Sequence, residues 1–119
     1  MAFKTRVMLV EDEQTAREIL GFYLGTLFDE VLVAKDGQEA LETYVKNQEA
    51  HTLIDLILTD IRMPRMSGLD LQTELAARGS DLPIVFITGH GDLPMGVDAM
   101  KKGAVDFLPK PFDDEQLLA

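Results

Sequence analysis

Asp55-Leu56-Ile57-Leu58-Thr59 is apolar through its middle and closes directly on a carboxylate, Asp60. A strand that is apolar without alternation must be covered on both sides, as parallel strands are when helices pack on each face of a sheet. Arg6-Val7-Met8-Leu9-Val10 before it and Pro83-Ile84-Val85-Phe86-Ile87 after it have the same character. Val31-Leu32-Val33-Ala34 and Ala104-Val105-Asp106-Phe107-Leu108 complete a set of five runs.

Between these runs the apolar spacing becomes helical. Ala16, Ile19, Leu20, Tyr23, Leu24 and Leu27 trace one helix face. Ala40, Leu41, Tyr44 and Val45 trace a second behind Asp36, a suitable N-cap. Ser67 can cap a third helix that carries Leu71 and Leu75, with Gly79 just past its end. The polar segment between Lys46 and Ile54 reads as a loop. Strand followed by helix, repeated, predicts a doubly wound α/β domain with helices on both faces of a mainly parallel five-stranded sheet. One domain is expected over residues 1–119. Its last helix, starting near Asp113, reaches Ala119 without a capping residue and reads as cut short.

Composition narrows the chemistry. Apolar residues make up 46% and charged residues 27%, the balance of a globular chain. There is no cysteine, which removes disulfides, thiolate metal sites and thiol nucleophiles. The formal charge of −10, from 21 acidic and 11 basic side chains, argues against direct nucleic-acid binding and for protein and cation partners. No apolar run has membrane-spanning length, and Met1-Ala2-Phe3-Lys4 does not open a signal peptide, so a cytoplasmic location away from membranes is expected.

In open α/β sheets, ligands bind outside the carboxyl ends of the strands, where strand order reverses. The residues that follow the strands therefore matter most. Glu11, Asp12 and Glu13 follow the first, Asp60 the third; Thr88 closes the fourth and Lys110 lies just past the fifth. The second strand, expected at an edge, adds nothing. Singly, each has an ordinary explanation: a turn cap, acids at a helix start, a strand terminus, a surface lysine. Together they bring carboxylates, a hydroxyl and an ammonium to one rim. Clustered carboxylates repel unless a cation joins them, and oxygen-only ligands favour a hard ion such as magnesium. A carboxylate beside such an ion can act as a nucleophile and form an acyl phosphate, while Lys and hydroxyl hold the phosphoryl oxygens.

The ordered set Leu9-Val10-Glu11-Asp12-Glu13, Leu58-Thr59-Asp60-Ile61-Arg62-Met63-Pro64 with Ser67-Gly68, Ile87-Thr88-Gly89 and Phe107-Leu108-Pro109-Lys110-Pro111-Phe112 resembles the receiver family of two-component response regulators. The likeness runs over essentially the whole chain. Residues 87–110 look most like receivers attached to transcription regulators. The resemblance implies strand order 2-1-3-4-5 and Asp60 as phosphoacceptor. It implies magnesium, with manganese as a substitute, held by Asp12, Asp60 and the backbone carbonyl of Arg62, with Glu11 acting mainly through water. The family often carries Asp where this chain has Glu11. Thr88 and Lys110 would bind phosphoryl oxygens, Gly89 would leave room for the group, and the Lys110–Pro111 peptide would be cis.

The same resemblance implies a switch. Thr88 would move toward the phosphate and Phe107 would turn inward behind it. The segment from Asp92 to Lys102, with Pro94 and Gly96, would form a marginal, movable fourth helix. Arg62 and His90, each two residues past a site residue, are candidate modulators of phosphate lifetime. Met63 and Met66 are expected to pack, and His51 to be solvated. Implied partners are a sensor histidine kinase or phosphotransfer protein, and an output domain or other protein on the face of helix 4, strand 5 and helix 5. Homodimerisation on phosphorylation is one form that output contact can take. Two rivals stay open. A magnesium-dependent aspartyl-phosphate phosphohydrolase shares nucleophile and metal, but such enzymes place an acid/base Asp where this chain has Arg62. An unphosphorylated interaction module would share the fold, and loss of Asp60, Thr88 or Lys110 would mark it; all are present. A flavodoxin would need a phosphate-binding loop where Glu11-Asp12-Glu13 would repel phosphate.

Overall fold

The structure, a computed structural model, describes residues 5–61, 63, 66–88, 100, 101, 103, 104 and 106–109. The elements run β1 (Arg6–Val10), α1 (Gln14–Leu24), β2 (Glu30–Ala34), α2 (Gly37–Glu49), β3 (Leu56–Asp60), α3 (Gly68–Ala77), β4 (Ile84–Thr88) and β5 (Asp106–Pro109). The five strands pair in parallel in the order β2-β1-β3-β4-β5. The unbroken apolar character of the central strands has the cause expected. Met8 and Val10 of β1 face one way, into a core shared with Ala40, Leu41 and Tyr44 of α2 and Leu71 and Leu75 of α3. Val7 and Leu9 face the other way, against Leu20 and Leu24 of α1. Both faces of the sheet are thus covered, and β1 is buried from Val7 to Val10.

Local chemistry fixes where the helices start and stop. The Asp36 carboxylate accepts a hydrogen bond from the Glu39 amide at 2.8 Å, capping α2. Ser67 and Asp70 form a reciprocal capping box at the start of α3. Past α3, Gly79 takes φ +77°, the left-handed conformation that reverses a chain after a helix. Met63 and Met66 pack against the core between β3 and α3. No helix among the described residues is long and apolar enough to cross a membrane.

Two sequence readings need correction. The polar stretch from Lys46 is not loop throughout, because α2 continues to Glu49. Its polar side chains support the extra turn: the Asn47 amide donates to the Thr43 carbonyl at 2.7 Å and the Gln48 amide to the Tyr44 hydroxyl at 2.9 Å. The helix face assigned to α1 was too long. Ile19 is 62% exposed, and Leu27 lies beyond the helix and is 57% exposed, because α1 meets the sheet along the narrow line of Leu20 and Leu24. Strand limits move by one or two residues: β3 takes in Asp60, β4 runs one residue further, and β5 occupies 106–109.

His51 is exposed, as expected, but it adopts φ +58°, a conformation that costs a residue with a Cβ. Its amide donates to the Gln48 carbonyl, so it ends α2 where glycine is the usual choice. Replacing His51 by Gly is expected to stabilise the domain by about 1 kcal/mol, seen as a higher urea midpoint with an unchanged denaturant slope.

Candidate functional site

The chain runs from β1 to β2 on one side of β1, then returns to place β3 on the other. A crevice opens at the carboxyl ends of β1 and β3, where the strand order reverses. Register levels the rim: Val10 pairs with Thr59, Asp60 with Ile87, and Thr88 with Pro109.

Into this crevice the structure brings Glu11, Asp12 and Asp60, with one carboxylate oxygen of each within 4.8 Å of the others. Glu11 is completely buried and Asp60 is 7% exposed, whereas Asp12 is open to solvent. The Glu11 amide donates to the Ala34 carbonyl at 3.0 Å, so the turn after β1 stays pinned to β2. A helix start is the ordinary alternative for these acids, but the N-cap of α1 is Glu13. Its carboxylate accepts from the Thr15 amide at 3.1 Å and the Ala16 amide at 2.5 Å. Glu11 and Asp12 are therefore not used in capping that helix. The Asp60 carbonyl accepts from the Thr59 hydroxyl at 3.1 Å, and the Ile61 amide donates to the Ile87 carbonyl at 3.3 Å. The second of these bonds ties the exit of β3 to β4.

Three carboxylates so close concentrate negative charge in a half-buried place, and a divalent cation relieves it. The donor set is oxygen only, which fits magnesium or manganese better than a softer metal. Thr88 ends β4 on the same rim, and Phe107 lies in β5 beside Phe86. Arg62, Gly89, His90, Lys110 and the Lys110–Pro111 peptide lie outside the described residues, as does nearly all of the expected fourth helix.

Sequence reading missed two residues that shape this crevice. A Cβ on Gly68 would lie 2.2 Å from the Asp60 carbonyl oxygen and 2.9 Å from Cε1 of Phe86. A Cβ on Gly37 would lie 2.6 Å from the Met66 carbonyl oxygen. The first residues of α3 and α2 therefore approach the β3 exit and the loop after it more closely than any side chain allows. Gly68 stood inside a recognised motif, but nothing local in the sequence shows what it touches.

Known proteins share this fold over nearly the whole chain. The family model for the response regulator receiver domain matches residues 7–119. Nodulation protein W of Bradyrhizobium diazoefficiens is 44% identical over 115 residues, covering 97% of this chain and 48% of that protein. Transcriptional regulatory protein FixJ of Azorhizobium caulinodans is 41% identical over 113 residues, 95% of this chain and 51% of that one. The chain spans about half the length of these curated relatives. Among solved structures, FixJ-N superposes with a TM-score of 0.83 at 36% identity, covering 98% of this chain and 90% of that one. A response regulator receiver protein from Pseudomonas putida gives 0.80 at 36% identity, covering 99% and 95%.

Proposed function

This chain belongs to the response regulator receiver family, and from that premise we propose that it carries its signal as a phosphoryl group on the carboxylate of Asp60. Receiver domains are the phosphoacceptor signalling domains of response regulators. The observation that carries the assignment of Asp60 is its place at the end of β3, nearly buried, with Glu11 and Asp12 oxygens within 4.8 Å. Asp12, Asp60 and the Arg62 carbonyl would ligate magnesium directly, and Glu11 would do so mainly through water. The ion would supply positive charge to the oxygens of the group in transit.

The transfer itself is simple. An Asp60 carboxylate oxygen attacks phosphorus of a phosphohistidine on a kinase or phosphotransfer partner. The P–N bond breaks, its electron pair stays on the imidazole nitrogen, which takes up a proton, and an acyl phosphate remains on Asp60. Thr88 and Lys110 are the groups proposed to hold phosphoryl oxygens. Thr88 and Phe107 are proposed as the moving pair; they sit on the neighbouring strands β4 and β5, and the output partner is proposed to dock on the face that includes β5. The Arg62 and His90 side chains are proposed to set the lifetime of the acyl phosphate. Arg62 stands where a phosphohydrolase would need an acid/base carboxylate, which favours a lasting intermediate over turnover.

Intact mass after incubation with acetyl phosphate tests this reading. The expected result is one added phosphoryl group per chain in magnesium and none in chelator. A generic phosphomonoester should show no turnover under the same conditions. Sustained phosphomonoester hydrolysis would instead identify a phosphohydrolase, and no mass gain would remove the phosphoacceptor assignment.

A further inference from the structure

We propose that Arg17 is a positioning residue for the metal carboxylates, a role that rests on the magnesium reading above and extends it. Arg17 lies in the first turns of α1, where its amide donates to the Glu13 carbonyl at 2.9 Å. A cation there runs against the helix dipole, which favours acids at the N-terminal end and bases at the other. The Glu13 carboxylate caps this end, but the first turn of α1 itself has no acidic residue. Its position is explained by where the side chain goes. One guanidinium nitrogen, Nη1, reaches back to the Glu11 carbonyl at 3.0 Å and the Asp12 carbonyl at 3.5 Å.

Those two carbonyls belong to the peptide planes on either side of the Asp12 Cα. The 3.0 Å bond holds the plane before Asp12 and the longer contact restrains the plane after it, which limits the directions in which the Asp12 side chain leaves the backbone. Asp12 needs that help. It is exposed, and among the described residues no donor holds its carboxylate. Glu11, by contrast, is completely buried. Arg17 is itself partly buried, so its hold on the turn is shielded from competing water. Both of its contacts go to carbonyl oxygens, which orients the acids without requiring their carboxylate oxygens.

The test is calorimetric titration of Mg2+ into the parent chain, Arg17→Ala and Arg17→Lys, with thermal melts to set the folded fraction. Arg17→Ala is expected to weaken Mg2+ binding about tenfold, as losing a group that orients a metal ligand commonly does. Arg17→Lys, which keeps the charge but has a shorter reach, should fall between the two. Phosphorylation by acetyl phosphate should show a higher half-saturating Mg2+ concentration, with the rate recovered as Mg2+ is raised. A lower melting temperature with parental Mg2+ affinity in the folded protein would reduce Arg17 to a structural residue and overturn the proposal. If Arg17→Ala does not fold, parental affinity in Arg17→Lys would overturn it equally. A parent chain that binds no Mg2+ would fail the metal reading itself, whatever the variants do.

Discussion

Asp60→Asn is expected to abolish phosphoryl uptake from acetyl phosphate completely while leaving the fold and its cooperativity intact. The two side chains have the same shape, so the packing around a 7% exposed residue is preserved. The backbone bonds at the β3 exit, from the Thr59 hydroxyl and between Ile61 and Ile87, do not involve the side chain. What disappears is a nucleophilic oxygen and one of three charges within 4.8 Å of one another. At about 4 Å a pair of like charges repels by ~1 kcal/mol in a water-like medium, and by ~4 kcal/mol at the dielectric typical of a protein surface. The variant should therefore shed part of that mutual repulsion in chelator. It should also gain less from added Mg2+, because a stabilising ligand acts only through its affinity for the folded state. Urea melts with and without Mg2+, read beside intact mass, check both parts. Undiminished mass gain in Asp60→Asn would place the phosphoryl group on another residue.

The parts of this site that the sequence discloses are those set by one strand and its immediate neighbour. Asp60 and the Glu11-Asp12 pair stand out because each follows an apolar run, and the end of a buried parallel strand leads to a known side of the sheet. Strand-then-helix order and the uninterrupted apolar character of β1 carry the layer architecture for the same reason. What escapes sequence reading depends on contacts between elements. The polar end of α2 looks like a loop until Asn47 and Gln48 are seen bonding back one turn. Ile19 fits a helical face as well as Leu20 does, and only the line of contact between α1 and the sheet decides that one is exposed and the other buried. Glu13 resembles a third member of the acidic set, yet its carboxylate caps α1. Arg17 looks like an ordinary helix-surface cation until its reach to the Glu11 and Asp12 carbonyls is measured.

Gly68 shows how such a contact joins stability to chemistry, and Gly68→Ala is expected to be among the most damaging single-methyl additions in the domain. The added Cβ would stand 2.2 Å from the Asp60 carbonyl oxygen and 3.1 Å from its carbonyl carbon, both backbone atoms that no rotamer change can remove. It would also press Phe86, a fully buried ring in the core beneath α3. Relief requires α3 to lift from the sheet or β3 to bend. Either movement strains the bond from the Gly68 amide to the Ile61 carbonyl, now 2.8 Å. Overpacking of this kind costs on the order of 1–3 kcal/mol, and contact with backbone puts this case at the upper end, about 3 kcal/mol. Because the displaced group is Asp60 itself, phosphorylation should slow by about two orders of magnitude in the fraction that stays folded, the effect of misplacing a reacting atom by roughly 1 Å. Gly79→Ala separates this cause from simple backbone preference. Gly79 has φ +77° but no atom within 4 Å of an added Cβ, so alanine there should cost about 1 kcal/mol and leave the phosphorylation rate unchanged. Equal losses of stability and rate in the two variants would mean that conformational preference, rather than the close approach of α3 to Asp60, governs both.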